Sequence, residues 1–81
     1  MRVLIVEDEA ALAGQLVAAL RGAGFVVDSA KDGEEGFYFG EEYDYDAAII
    51  DLGLPRLDGM GLIRKLRAAE RNMPVLILTA R

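Results

Sequence analysis

The stretch AAIID at residues 47–51 decides the fold, because four apolar residues run directly into a single carboxylate, Asp51. An uninterrupted apolar run of this length is typical of a central parallel strand that helices cover on both faces. Asp51 would then lie at the carboxyl end of the strand, the edge where open α/β sheets place their functional groups. A second apolar run, residues 3–6, also ends in acids, Glu7 and Asp8. If the two strands are neighbours, three carboxylates meet at one point of the sheet edge.

The composition of the 81-residue chain indicates one small globular domain. Hydrophobic residues make up 53% of the chain, which argues against disorder, and the net charge of −5 argues against an intrinsic nucleic-acid surface. The chain has no cysteine, which excludes disulfides and thiolate metal sites. The first apolar run is too short for a signal peptide or a membrane span, so we expect a cytoplasmic domain without a membrane anchor.

Strand and helix patterns alternate along the chain. The predicted strands cover residues 2–6, 25–30, 47–51 and 75–79, and the predicted helices cover residues 10–22, 34–42 and 59–70. This alternation implies an α/β fold with a parallel sheet and right-handed crossovers. Asp58 is expected to cap the third helix, since aspartate is a preferred residue at that position.

Several segments together match a known family. They are LIVEDE at 4–9, YD at 45–46, IIDLGLPRLDG at 49–59 and PVLILTA at 74–80. With them the chain resembles the receiver domain of two-component response regulators, most of all the OmpR/PhoB-type transcription regulators. The resemblance implies a flavodoxin-like (CheY-like) doubly wound parallel sheet, here incomplete, with strand order 2-1-3-4. Residues 1–81 would form the N-terminal part of that domain, and the fifth strand, the last two helices and any effector domain would lie beyond Arg81.

The resemblance also implies a role for each residue of the site. Asp51 would accept the phosphoryl group, Thr79 would be the switch hydroxyl, and the small Ala80 would leave room for the phosphoryl group. The ligands of a Mg²⁺ ion would be Glu7, Asp8, Asp51 and the backbone carbonyl of Gly53. Such a set suits the ion, because Mg²⁺ prefers oxygen ligands and neutralises the charge that separates a carboxylate from a phosphoryl group.

The resemblance implies a signalling function and not the function of a classical enzyme. A sensor histidine kinase would phosphorylate Asp51, and the parent protein would contact DNA only through a separate output domain. The alternative is a protein-interaction module of the same fold in which Asp51 is never phosphorylated. A nucleotide-binding domain is disfavoured, because neither G-x-G-x-x-G nor a Walker-type loop follows the first strand. Aspartyl-phosphate phosphatases carry a D-x-D pair, and residues 51–53 lack the second acid.

Two further expectations concern the 81-residue chain itself. The family's lysine at the end of the fifth strand is not among these residues, so we expect poor phosphorylation of Asp51, because such electrostatic contacts are a large catalytic contribution. Residues 75–78 are apolar on both faces, and yet the fourth strand would form an edge of the sheet. We therefore expect self-association through the fourth strand, either edge to edge or by exchange of a terminal element.

Overall fold

Four parallel strands and three helices make up the fold of residues 1–78. The computed structural model describes residues 1–78. The strands are β1 (Arg2–Val6), β2 (Val26–Ala30), β3 (Ala47–Asp51) and β4 (Val75–Leu78), and the helices are α1 (Ala10–Gly22), α2 (Gly33–Glu42) and α3 (Gly59–Ala68). The strands lie in the order β2-β1-β3-β4, which confirms the predicted sheet. Thr79 and Ala80 lie outside the described residues, so the roles predicted for them stay predictions.

Aspartate caps fix where the second and third helices begin. Oδ1 of Asp32 accepts a hydrogen bond from the backbone N–H of Glu35 at 2.8 Å, so α2 begins at Gly33, one residue earlier than expected. Oδ1 of Asp58 accepts one from the backbone N–H of Gly61 at 2.7 Å, which confirms the predicted cap of α3. Each cap satisfies a backbone donor that the first turn of a helix leaves without an intrahelical partner.

Two further boundaries differ from the predicted ones, each by one or two residues. α3 ends at Ala68 and not near residue 70, because the chain turns there and Glu70 takes a left-handed φ of 61°. β2 begins at Val26 and not at residue 25.

Among residues 1–78, no helix has both the length and the apolar character that crossing a bilayer requires.

The sheet separates two hydrophobic clusters. On one face α2 and α3 cover the larger cluster, which includes Leu4, Val6, Ile50, Leu62 and Leu66. On the other face α1 packs on β1 and β2, around Val3, Ile5 and Val27. Both faces of the two central strands are therefore apolar, which explains why their sequences show no alternation between apolar and polar residues.

The face that carries α1 is only partly covered. α1 lies over β1 and β2, and an apolar groove of about 450 Å³ runs beside it over β3 and β4. The groove is lined mainly by Met1, Leu20, Phe25, Ile49, Pro74 and Leu76. Leu76 is 62% exposed, although it belongs to a strand whose sequence is apolar throughout. β4 is also the edge of the sheet that the sequence analysis expected it to be.

Two glycines allow α2 to approach its neighbours closely. A Cβ atom at Gly36 would lie 3.0 Å from side-chain atoms of Val6 and Leu62, and one at Gly40 would lie 2.6 Å from Leu66. Glycine disfavours helix by about 1 kcal/mol relative to alanine, so α2 is a poor helix by its sequence alone. Close packing against β1 and α3 explains why these residues nevertheless occur in a helix.

A polar cluster lies near the end of the sheet at which the strands begin. Oδ2 of Asp28 accepts hydrogen bonds from the Arg2 guanidinium at 2.8 Å and 3.1 Å and from the Tyr45 hydroxyl at 2.7 Å. The guanidinium also lies 4.6 Å from the centre of the Tyr43 ring. Partial burial alone would raise the pKa of Asp28, but the bonds from Tyr45 and Arg2 outweigh it and lower that pKa. Burial and the bond to Asp28 together raise the pKa of Tyr45.

Asp28→Asn is expected to lower the free energy of unfolding by about 1–2 kcal/mol at pH 7, because charge-assisted hydrogen bonds are lost. The pKa of Asp28 is lower in the folded state, so this contribution is present above the unfolded-state pKa of about 3.9 and is lost as the pH falls below it. Urea unfolding of the wild type and of Asp28→Asn at several pH values should show that the difference between their free energies of unfolding becomes smaller in acid. Asp44→Asn, at a carboxylate that is 95% exposed, is the control and should change little.

Candidate functional site

Two neighbouring strands end in acidic residues at the same edge of the sheet. β1 and β3 pair in parallel with Val6 beside Ile50, and Glu7 and Asp51 are the residues that follow these two. Carboxylate oxygens of Glu7, Asp8 and Asp51 all lie within 4.8 Å of one another. The structure therefore brings together the three carboxylates that the sequence placed at this edge.

Two of these three carboxylates are buried. Glu7 and Asp51 are each 2% exposed, whereas Asp8 is an exposed residue. Oε2 of Glu7 accepts a hydrogen bond from the backbone N–H of Glu9 at 2.8 Å, and Oδ1 of Asp51 accepts one from the backbone N–H of Gly53 at 3.1 Å. Buried carboxylates are costly without donors or cations close by, so these backbone groups help to hold the acids in place.

The loop after Asp51, residues 52–58, is folded tightly onto the sheet. The backbone N–H of Gly59 donates to the carbonyl of Leu52 at 3.2 Å, and the backbone N–H of Leu52 donates to the carbonyl of Leu78 at 3.2 Å. A Cβ atom at position 59 would overlap the carbonyl of Asp51, so only glycine fits there. Gly53 lies in this loop and is exposed, and the metal-binding role of its carbonyl stays a prediction.

The donor set fits a hard divalent cation. Carboxylate and carbonyl oxygens are the ligands that Mg²⁺ prefers, and an ion that keeps several waters needs only a few from the protein. The chain contains no histidine and no cysteine, the ligands that zinc and copper favour. Glu7, Asp8 and Asp51 are therefore residues that could hold Mg²⁺.

A cavity of about 350 Å³ opens beside the acidic residues. It lies between α1 and the segment that joins β2 to α2, and its lining includes Glu7, Asp8, Ala13, Gly14, Lys31 and Glu35. The side chains that α1 contributes here are mostly small, which leaves room next to the acids. The sequence analysis did not identify this cavity, because it depends on how α1 packs against the sheet.

The sequence analysis also missed Arg56, in the loop after Asp51. Arg56 has a φ of 68°, a left-handed backbone conformation that residues other than glycine adopt only at a cost in free energy. Its guanidinium reaches α2, with Nη1 3.3 Å from Oε1 of Glu34 and Nε 3.7 Å from Oδ2 of Asp32. An arginine in a turn does not indicate a left-handed backbone, so the sequence offered no signal of this conformation.

Comparison with known proteins decides the family. A family model described as the response regulator receiver domain matches residues 3–81. The chain belongs to this family. Receiver domains of response regulators are signalling modules and not classical enzymes, and the predicted resemblance is confirmed.

Relatives of this receiver domain include transcription regulators. It is 51% identical over 81 residues to the two-component response regulator PhoP of Pseudomonas aeruginosa. It is 49% identical over the same length to the virulence transcriptional regulatory protein PhoP of Salmonella typhimurium. In both comparisons all of this chain is covered but only 36% of the relative, so the chain spans about a third of the length of these regulators.

Solved receiver structures have the same fold. The receiver domain of the sensor histidine kinase PA1611 from Pseudomonas aeruginosa matches with a TM-score of 0.93 and 35% sequence identity. The match covers 99% of this chain and 67% of that one, and that structure has a magnesium ion coordinated in its active-site cleft.

Proposed function

We propose that Asp51 is the phosphoacceptor of a two-component response regulator and that Mg²⁺ assists the transfer. The ligands would be Glu7, Asp8, Asp51 and the carbonyl of Gly53. The observation that carries this proposal is the convergence of three carboxylate oxygens within 4.8 Å of one another at the carboxyl edge of β1 and β3. The magnesium ion in the cleft of the PA1611 receiver domain supports the choice of metal.

In the proposed reaction a carboxylate oxygen of Asp51 attacks the phosphorus of a phosphohistidine on a sensor kinase. An O–P bond forms, the P–N bond breaks, and its electron pair stays on the imidazole nitrogen. The N–H of Gly53 fixes the rotation of the Asp51 carboxylate, which orients the nucleophile before the donor arrives. Bound Mg²⁺ would supply the positive charge that offsets repulsion between the acids and the phosphoryl group.

The parent protein would connect this reaction to transcription. The two PhoP relatives are regulators of about three times this chain's length, so a parent of similar size would have room for a DNA-binding output domain. Thr79 and Ala80 would take part in the switch that passes phosphorylation on to that domain. The partners are then a sensor histidine kinase and, through the output domain, DNA, and the site of action is the bacterial cytoplasm.

Incubation of the 81-residue chain with acetyl phosphate and Mg²⁺ is expected to phosphorylate only a small fraction, because the family's fifth-strand lysine is not among its residues. Intact-mass spectrometry measures that fraction. The modification should require Mg²⁺ and should disappear in the Asp51→Asn variant. Near-complete modification would contradict the expected slow transfer, and modification that persists in Asp51→Asn would place the phosphoacceptor elsewhere. Beryllofluoride mimics the phosphoryl group. Its binding distinguishes a phosphorylatable receiver from an interaction module of the same fold, which would not bind it.

We further propose that this chain pairs with a second copy of itself through β4 and the apolar groove. β4 is an edge strand with Leu76 62% exposed, and the groove beside it extends the apolar surface towards α1. An exposed apolar edge strand offers unpaired backbone groups as well as apolar surface to another chain. The pairing would be edge to edge or by exchange of β4 between copies.

A further inference from the structure

The loop that follows the phosphoacceptor is attached to the start of α2. Nη1 of Arg56 lies 3.3 Å from Oε1 of Glu34, and its Nε lies 3.7 Å from Oδ2 of Asp32. Asp32 is only 8% exposed, and its other carboxylate oxygen already caps α2. Arg56 therefore connects residues 52–58 to a fixed point of the fold.

The same two segments also meet through their backbones. A Cβ atom at Gly33 would overlap the carbonyl of Leu57, so the loop and the first residue of α2 are in direct contact. This approach leaves little room for the loop to move independently of α2. The left-handed conformation of Arg56, with φ 68°, is the local distortion that accompanies this arrangement.

We propose that Arg56 is a positioning residue for the metal site. By holding the loop against α2 it would keep the carbonyl of Gly53, three residues earlier, in reach of an ion bound by Asp51. This inference rests on the proposed Mg²⁺ site. Groups that orient metal ligands from outside the coordination shell strongly affect affinity, although they do not touch the ion.

The direction in which the Mg²⁺ affinity changes when Arg56 is removed distinguishes a positioning role from a purely electrostatic one. Arg56 carries a positive charge in the loop that follows Asp51, so its removal should tighten Mg²⁺ binding if charge alone matters. If Arg56 positions the loop, its removal should weaken Mg²⁺ binding in spite of that change in charge. A purely structural role would change the thermal midpoint and leave the Mg²⁺ dissociation constant unchanged.

Isothermal titration of the 81-residue chain with MgCl₂ tests the proposal. We expect Arg56→Gln to weaken Mg²⁺ binding by about three- to tenfold. Loss of a residue that orients a metal ligand typically costs about 10- to 100-fold in metal affinity, and the effect here should be at or below the low end of that range because the ion pairs of Arg56 are exposed. Arg64→Gln makes the same change of charge on α3 and is the control, because Arg64 is exposed and lies outside the loop. It should leave the affinity unchanged or slightly tighter.

Two further variants identify the interaction responsible. Arg56→Gly relieves the left-handed backbone, so it should raise the thermal midpoint and still weaken Mg²⁺ binding. Glu34→Gln should weaken binding less in an Arg56→Gln background than in the wild type, because the two residues act through one ion pair. Arg56→Gln binding Mg²⁺ as tightly as Arg64→Gln, or wild-type affinity in Arg56→Gly, would overturn the positioning role alone. No Mg²⁺ binding by the wild-type chain would overturn the metal site as well.

Discussion

Asp8→Ala is expected to abolish the stabilisation of this domain by Mg²⁺. Asp8 supplies one of the three clustered carboxylates, and it is the exposed one, so its removal should take away a ligand and a charge with little disturbance of the core. For the wild type we expect a dissociation constant in the millimolar to submillimolar range, as suits an ion that keeps several waters. The variant should show no rise in thermal midpoint over the same range of Mg²⁺ concentration.

The size of the wild-type response follows from mass action. At a Mg²⁺ concentration ten times the dissociation constant, the folded state gains about 1.4 kcal/mol. For a domain of this length that corresponds to a rise of about 6–11 °C in the thermal midpoint. Thermal scans with and without Mg²⁺ are sufficient to resolve it.

Asp44→Ala provides the matched control for net charge. This carboxylate is 95% exposed and precedes β3, at the end of the sheet opposite the acidic site. The control should keep the full Mg²⁺ response. An equal response in Asp8→Ala and the wild type would mean that the ion binds elsewhere on the domain.

Leu76→Lys is expected to turn a self-associating chain into a monomer. Light scattering should report a dimer or larger assembly for the wild type at micromolar concentration and the mass of a single chain for the variant. Leu76 projects from the edge strand into the apolar groove, so a lysine there would have to bury its charge in any pairing of two copies. Charged residues on edge strands are also a common means by which natural sheets avoid pairing.

The opposite edge of the sheet supplies the control for this experiment. Val26 lies on β2 and is 59% exposed, so Val26→Lys adds the same charge to the other edge strand. It should leave the assembly intact if β4 is the contact. A wild-type chain that is a monomer with a cooperative thermal transition would show that β4 and the groove do not drive association.

The parts of this structure that sequence predicted depend on short-range patterns. The apolar runs at 3–6 and 47–50 identified the central strands, and the acids after them fell at one edge because parallel strands share their carboxyl ends. Asp58 could be assigned as a cap because its hydrogen bond reaches only three residues along the chain. Such features need no knowledge of how the helices pack.

The parts that sequence missed depend on contacts between distant residues. Tyr45 and Asp28 are 17 residues apart, and Arg56 and Glu34 are 22 apart. Neither pair has a local pattern that would reveal it, and the left-handed backbone of Arg56 is compatible with many loop sequences. The cavity beside Glu7 likewise depends on how α1 packs against the sheet.

α2 is a helix whose existence depends on its neighbours. It has ten residues, and the glycines that let it pack against Val6, Leu62 and Leu66 are the same residues that weaken it. A helix so short and so rich in glycine is not stable in water by itself. Undocking of α2 and unwinding of α2 are therefore one event. Its backbone amides should exchange with solvent deuterium at a rate set by how often the helix leaves the sheet, because no intact helix survives that separation to protect them.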